Sequence, residues 1–117
     1  HISVRVTNYK KSGEFYLNAL KPLGYELVME FPKMGGFGVK GKPDFWLGEG
    51  TASAKNHIAF GTNKRKEVDE FYKAALKAGG KDNGKPGLRP HYHKDYYAAF
   101  VIDPDGNNVE AACHKKS

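Results

Sequence analysis

Two histidines at equivalent positions of an internal repeat are well suited to metal or acid–base chemistry. When the chain is aligned with itself at an offset of 56 residues, residues 1–24 match residues 57–80 at ten positions without a gap. His1 and His57 are the first matched pair, and each opens one copy. An imidazole binds metals and transfers protons near neutral pH. The repeat therefore brings a potential ligand to equivalent places in both halves.

A second group of chemically capable side chains lies in and just after the Gly- and Pro-containing stretch 82–95, which we predict to be a loop. Arg89 is suited to hold an anionic group of a substrate, and His91, His93 or Tyr97 to act as acid or base. A merely polar loop explains the same residues about as well. Because the stretch has few aliphatic anchors, we expect it to form a mobile wall of a substrate cleft.

Length and cysteine usage predict one small domain. A repeated unit of about 56 residues is too short to bury a good core alone, so we expect a single domain over residues 1–117 with half-modules of about 1–55 and 56–117. Cys113 is the only cysteine, which excludes an internal disulfide and fits a reducing compartment. No apolar run reaches membrane-spanning length, and no secretory signal is visible, so we predict a cytoplasmic protein without a membrane partner.

The positive charge leaves two kinds of partner open. The net charge is +6, which suits nucleic acid or an anionic small molecule. The lysines are spread along the chain and form no basic stripe, which is typical of a solvated surface. We therefore expect a small-molecule substrate, and nucleic-acid binding, which rests on the net charge alone, is the weaker alternative.

The first half predicts a strand, a helix and three short strands. Residues 1–7 alternate apolar and polar side chains, as a half-buried strand does. Ser12 is a candidate N-cap for a helix that ends near Pro22 and Gly24. Glycine and proline breakers then separate predicted strands at 25–31, 37–40 and 45–48.

The second half repeats this order. A strand over 57–62 precedes a helix whose apolar residues recur at helical spacing from Val68 to Gly79. The sequence Asp103-Pro104-Asp105-Gly106 favours a type I turn between strands at 97–102 and 108–113. These elements predict an α+β fold of two βαβββ modules with pseudo-twofold symmetry. We expect curved mixed sheets that carry their helices outside and form a concave cleft.

With these elements in place, the chain resembles the vicinal oxygen chelate superfamily over nearly its whole length. The resemblance is carried by a strand that opens in histidine before a Phe-Tyr-x-x-Ala-Leu helix, by His57-Ile58-Ala59-Phe60, and by the turn 103–106 before a strand with Glu110. The superfamily includes glyoxalase I, extradiol dioxygenases, fosfomycin-inactivating enzymes and bleomycin-binding proteins.

The resemblance implies a metal site. His1 matches the ligand on the first strand, His57 that on the fifth and Glu110 that on the eighth. Trp46 stands where glyoxalase I has a fourth-strand glutamate, and Glu49, three residues on, should point to the opposite face. Two histidines and one carboxylate suit Fe, Zn, Mn or Ni, with positions left for substrate.

Two functions follow from the resemblance. The first is a metal-dependent lyase or dioxygenase acting on a small substrate with adjacent oxygens, in which Glu110 is also catalytic. The second is a metal-free, bleomycin-resistance-type binding protein whose cleft is lined by aromatic side chains, Phe37 and Trp46 among them. Members with two modules usually associate, so we expect a homodimer. Whether the modules pair within a chain or between chains stays open.

Overall fold

Each half of the chain folds as a strand, a helix and three strands in the computed structural model, which describes residues 1–51 and 55–116. The first module consists of β1 (Ile2–Val6), α1 (Tyr9–Leu20), a short 3-10 helix (Lys21–Leu23), β2 (Glu26–Phe31), β3 (Met34–Val39) and β4 (Lys42–Glu49). The second consists of β5 (His57–Thr62), α2 (Arg65–Lys77), β6 (Lys81–Leu88), β7 (Tyr97–Ile102) and β8 (Asn108–Cys113). In the described parts of the chain, no helix combines the length and apolar character needed to cross a membrane.

The two sheets have the same topology. Their strand orders are β1-β4-β3-β2 and β5-β8-β7-β6, with the first and last strands of each module parallel and the other neighbours antiparallel. The predicted α+β fold of two βαβββ modules is thereby confirmed. The pairing registers of β1 with β4 and of β5 with β8 also identify equivalent positions outside the aligned repeat of residues 1–24 and 57–80. Ser3 pairs with Trp46 as Ala59 pairs with Glu110, so Trp46 and Glu110 occupy equivalent places.

Three predictions about local structure were wrong, and the first two concern a helix cap and a loop. Helix α1 begins at Tyr9, and its N-cap is Asn8, whose side chain accepts a hydrogen bond from the Lys11 N–H at 3.0 Å. Ser12 is instead buried within the helix. Much of the predicted loop 82–95 is strand β6, which pairs with β7 through register shifts at Gly84. The glycines led to a loop prediction, but glycine also occurs where two strands pair irregularly, as β6 and β7 do here.

The glycines at 35 and 36, which the sequence suggested as a break, lie inside β3. The neighbouring strand β4 explains this, because the indole of Trp46 lies over Gly36. A Cβ at position 36 would come within 2.7 Å of the ring. Glycine serves here for close approach and not for a turn.

The helices lie between the two sheets, which differs from the expectation that they would lie outside. Helices α1 and α2 pack against each other, and one hydrophobic core joins the helix-bearing faces of both modules. Phe60 of β5 shows this continuity, since its ring contacts those of Phe45 and Tyr25 from the first module in edge-to-face geometry, with centroids 5.1 and 5.4 Å away. The opposite, open face of each sheet therefore points away from the shared core.

The turn between β7 and β8 fastens the modules together. Its expected bond from the Gly106 N–H to the Asp103 carbonyl is present at 3.0 Å. The Asp103 carboxylate accepts hydrogen bonds from the N–H groups of Asp105 and Asn107 and from the buried Tyr16 hydroxyl of α1. Burial and the neighbouring Asp103 hold the pKa of Tyr16 well above its ordinary value, so the phenol remains a donor.

Replacing Tyr16 with phenylalanine should destabilise the whole chain. The change removes one donor from a buried carboxylate and leaves the ring in place, so we expect a loss of about 1–3 kcal/mol in the free energy of unfolding. Urea denaturation measures this loss. Tyr25→Phe is the control, because it removes a more exposed bond to Asp44 at 3.1 Å and should cost less. Equal losses would contradict the role given to the bond between Tyr16 and Asp103.

Candidate functional site

The open face of the second sheet brings His57 and Glu110 together. His57 begins β5 and Glu110 lies in the adjacent strand β8, where the parallel pairing places them diagonally. His57 Nε2 lies 2.8 Å from Glu110 Oε1. The His57 side chain is 55% exposed, whereas Glu110 is only 2% exposed. A buried carboxylate beside an accessible imidazole is the chemically most distinctive pair on this face.

Tyr96 completes this pair and was missed by the sequence analysis. Its hydroxyl donates a hydrogen bond to Glu110 Oε2, so both carboxylate oxygens are engaged. Burial, followed by the hydrogen bond and the charge of Glu110, raises the pKa of Tyr96 to about 12. The phenol therefore stays protonated at neutral pH. Strand alternation could have indicated it, because adjacent tyrosines at a strand start point to opposite faces.

Tyr97, the tyrosine that the sequence analysis selected, points toward the helices. Its hydroxyl donates to Asp69 Oδ1 at 2.6 Å, and the Arg65 guanidinium lies 5.2 Å from its ring centroid. Burial and the hydrogen bond to Asp69 raise its pKa to about 12. The structure thus does not bring Tyr97 to Glu110, and a catalytic role for it stays a prediction.

Arg89 lies on the same open face as the pair. Its guanidinium stands 5.3 Å from the ring centroid of Phe100, which pairs with Glu110 across β7 and β8. The His57 ring centroid lies 6.2 Å from the same ring. Two donors of Arg89 bind the carbonyls of Gly87 and Lys85 at 2.9 and 2.8 Å. These bonds hold the guanidinium against the Phe100 ring.

The loop histidines lie at the edge of this face. The His91 ring packs on Tyr92 with centroids 4.2 Å apart. His93 lies 6.0 Å from the Tyr96 ring and 5.2 Å from that of His114. Neither side chain makes a described hydrogen bond to Glu110, so acid–base roles for His91 and His93 stay predictions. In the described structure, the loop is closed by a hydrogen bond from the Arg89 N–H to the Tyr96 carbonyl at 2.7 Å.

His1 is separated from His57 within one chain. It lines a cavity of about 280 Å³ together with residues 59–61 of β5, and His57 is not among the residues that line this cavity. Among the residues that the structure describes, no three His, Cys, Asp or Glu side chains form a group that could hold a metal. A single chain thus assembles two of the three predicted ligands, and His1 stays a predicted ligand.

The open face of the first sheet carries no carboxylate at the place equivalent to Glu110. Trp46 lines a groove of about 510 Å³ there with Ser3 and Arg5, next to Phe31 and Met34. Phe31 and Met34 are both exposed. This groove is therefore mainly aromatic and apolar, and the charged residues Arg5, Lys33 and Glu49 also line it.

Phe37 lies on the opposite side of the first sheet. It is buried in the shared core, and its ring centroid lies 6.4 Å from that of Phe45. It also lines a cavity between α1 and β2, on the helix-bearing side. A substrate-binding role for Phe37 stays a prediction.

The Glu49 carboxylate turns toward the beginning of α1, and Glu49 also lines the groove beside Trp46. Its carboxylate accepts the Tyr9 N–H in the first turn of α1 at 3.0 Å, and Lys33 Nζ lies 3.5 Å from it. The Tyr9 N–H, supported by the Lys33 charge and opposed by partial burial, holds the pKa of Glu49 below its ordinary value. The carboxylate thus stabilises the beginning of the helix.

We expect Glu49→Gln to lower stability at pH 7 and to have less effect in acid. Because the folded-state pKa is lowered, the stabilisation is present above the unfolded value of about 4.5 and is lost as pH falls through the folded value. Urea midpoints at pH 7 and pH 3 measure the effect. Glu26→Gln, on an exposed side chain of β2, is the control. A deficit that persists unchanged at pH 3 would contradict the ionic origin.

The arrangement of His57 and Glu110 fits a metal as well as a hydrogen bond. Two ligands about 2.1 Å from a metal and at right angles are about 3.0 Å apart, close to the 2.8 Å between Nε2 and Oε1. An imidazole and a carboxylate suit Fe, Zn or Mn. Tyr96 is partly buried and Glu110 is buried, whereas His57 is more than half exposed, so solvent reaches the pair through the imidazole.

Comparison with known proteins identifies relatives of this fold. The family model described as Glyoxalase/Bleomycin resistance protein/Dioxygenase superfamily matches residues 1–111. No curated protein gives a significant match.

Solved structures with similar folds carry related names. A glyoxalase/bleomycin resistance protein from Albidiferax ferrireducens T118 has 23% identity and a TM-score of 0.82, covering 97% of this chain and 95% of that chain. A glyoxalase/bleomycin resistance protein/dioxygenase family enzyme from Burkholderia phytofirmans PsJN has 17% identity and a TM-score of 0.75, covering 97% and 96%. A lactoylglutathione lyase from Agrobacterium tumefaciens has 18% identity and a TM-score of 0.69, covering 95% and 89%. At these identities the likeness is one of fold.

Proposed function

Since this chain belongs to the Glyoxalase/Bleomycin resistance protein/Dioxygenase superfamily, we propose that it is a metal-dependent lyase or dioxygenase acting on a small substrate with vicinal oxygens. His57 and Glu110 would hold the divalent metal. The observation that carries this proposal is the 2.8 Å approach of a buried carboxylate to an accessible imidazole. A reducing compartment, the cytoplasm, fits the single buried cysteine.

The proposed site is shared between two copies of the chain. The open faces of both sheets point away from the common core, and among the described residues His1 forms no three-membered ligand group with His57 and Glu110. A second copy that places its first module over the second module of this chain would bring its own β1 and Trp46 to the open face around Glu110. In this homodimer the partner copy would supply the third ligand, its residue at position 1.

Side chains around the pair have separate proposed roles. A bound metal would act as a Lewis acid toward the substrate oxygens. Glu110 would accept or return a proton at Oε1, the oxygen that faces His57. Arg89 would hold an anionic group of the substrate beside Phe100. Trp46 of the facing module would cover the substrate with an apolar wall.

A metal-free binding protein of the bleomycin-resistance type is the alternative. One observation favours it, since His57 and Tyr96 already provide hydrogen-bonding partners for both oxygens of Glu110. The pair is then a purely structural hydrogen bond, and the aromatic face with Trp46 and Phe31 becomes the binding surface. Metal content separates the two functions.

Metal binding should depend on Glu110 and His57 without equal loss of the fold. We expect wild-type protein purified without an affinity tag to contain a first-row transition metal, and Glu110→Gln and His57→Ala to lose most of it, because each change removes a ligand. Elemental analysis and thermal midpoints measure metal and fold. Glu26→Gln is the matched control for a lost carboxylate. Metal stoichiometry unaltered in both ligand variants would refute the assignment, and metal-free but ligand-binding wild type would favour the binding protein.

Mixing two inactive variants tests whether the site is shared. His1→Ala and His57→Ala homodimers should each lack complete sites, whereas a mixed dimer has one complete site if the ligands come from different chains. After random reassortment of equal amounts, we expect about a quarter of the wild-type metal sites, because about half of the dimers are mixed. Dialysis against metal followed by elemental analysis measures recovery.

Two results would contradict the shared site. Absence of recovery after the subunits have demonstrably exchanged would place all ligands in one chain. Sedimentation equilibrium that gives a 13.0 kDa monomer at tens of micromolar would exclude the dimer itself. Separately purified and remixed wild-type protein controls for losses during exchange.

A further inference from the structure

The hydrogen bond from Tyr96 to Glu110 points to a role beyond packing. We propose that Tyr96 is a positioning residue, which holds Glu110 Oε2 so that Oε1 is presented to His57 and to a bound metal. The contacts of Glu110 with His57 and Tyr96 are described in the structure, whereas the effect of Tyr96 on metal binding rests on the proposed function. It concerns a residue that acts through Glu110 and does not itself touch the metal or substrate.

A carboxylate needs such a partner because its terminal torsion is soft. The bond between the Glu methylene and its carboxyl group rotates over a broad, roughly twofold profile, so the side chain alone does not fix its oxygens. Glu110 has His57 on one oxygen and Tyr96 on the other. Of these two, His57 is more than half exposed and is itself a proposed ligand, so it is not an independent support. Tyr96 supplies the fixed reference.

The partly buried Tyr96 ring is flanked by other rings, which restrict its orientation. It lies edge-to-face with Tyr92 at a centroid distance of 5.0 Å and packs against His114 at 4.7 Å. His93 lies 6.0 Å away and also contacts His114. A tyrosine with only two side-chain torsions, held on these sides, presents its hydroxyl at little entropic cost.

The backbone around Tyr96 is tied at both polar groups. Its carbonyl accepts the Arg89 N–H at 2.7 Å, and its N–H donates to the His93 carbonyl at 3.1 Å. The next residue begins β7. The phenol is thus supported by a closed loop on one side and a sheet on the other, which is the kind of outer support that orients metal-binding carboxylates.

Tyr97 provides a matched comparison within the same chain. It is the neighbouring residue, it also donates to a carboxylate, and it is likewise partly buried. Its partner, however, is Asp69 of α2 on the helix-bearing face. Tyr97→Phe therefore removes a phenol hydroxyl and its hydrogen bond to a carboxylate, as Tyr96→Phe does, but leaves the hydrogen bonds of Glu110 in place.

The test compares Tyr96→Phe with Tyr97→Phe in the full-length chain. Both variants keep the aromatic ring, and circular dichroism with thermal midpoints shows whether each remains folded. Zn²⁺ is titrated calorimetrically into protein stripped of metal with a chelator. We expect Tyr96→Phe to weaken Zn²⁺ binding by about 10–100-fold, which is typical when an outer hydrogen bond to a ligand is removed, and Tyr97→Phe to leave it near wild type. Equal affinities in the two variants would overturn the positioning role while the metal function stands.

A second measurement needs no metal. The ring resonances of His57 are recorded by NMR in stripped protein at one fixed pH, and assigned through the His57→Ala spectrum. Loss of the Tyr96 hydroxyl should shift them, because Oε1 moves when Oε2 is released, and Tyr97→Phe should not. If wild type binds no Zn²⁺, the proposed function fails, and these shifts alone decide the positioning role. Unshifted His57 resonances in folded Tyr96→Phe protein would overturn it.

Discussion

The packing of both modules onto one core is the constraint on which the rest of the molecule depends. A half-module of this size has a single helix and a four-stranded sheet, and neither can hide its apolar face alone. Here the helix-bearing faces meet, α1 lies against α2, and Phe60 enters among aromatic rings of the first module. Once these faces are used, the opposite faces of the sheets are the ones left for recognition. The buried bond between Tyr16 and Asp103 fixes the same contact by a polar interaction.

The two open faces differ although the modules share one topology. At equivalent places, Trp46 lies beside Gly36 in the first sheet and Glu110 lies beside Phe100 in the second. In the first module the aromatic residue of the pair lies on β4 and its partner on β3 is glycine. In the second module the aromatic residue lies on β7 and its partner on β8 is the carboxylate Glu110. The glycine is required where it occurs, because the indole occupies the space of a Cβ. The candidate pair of His57 and Glu110 therefore lies in one half, and the open face of the other half carries Trp46 at the place equivalent to Glu110.

Much of the fold could be predicted from the sequence because the repeat and the strand–helix patterns are local. The two modules and the turn at 103–106 followed from these patterns and are confirmed. Strand β6 was missed because its glycines and prolines imitate a loop when pairing with β7 is not visible. Whether the helices lie between the two sheets or outside them was also beyond local pattern, because an apolar helix stripe packs equally well on its own sheet in either arrangement.

The site residues that belong to recognisable strand motifs could be predicted from the sequence. His57 and Glu110 were found from the repeat and the resemblance, and the structure places them together. The choice between Tyr96 and Tyr97 depends on where β7 begins, and a one-residue shift exchanges the faces of both side chains. Whether His1 and His57 lie close together depends on which modules face each other. The spacing of residues along one chain does not determine this pairing.

The exchange of Trp46 and Glu110 between equivalent places has a stereochemical consequence. In the proposed assembly, the pseudo-twofold axis relates an indole to a carboxylate, so the cleft has two unlike walls and no internal symmetry that a ligand could share. Even a substrate with two identical ends would have the proton-transferring carboxylate of Glu110 on one side only. Its enantiotopic faces would become distinguishable on binding, and a prochiral centre would be attacked or reprotonated from a single direction.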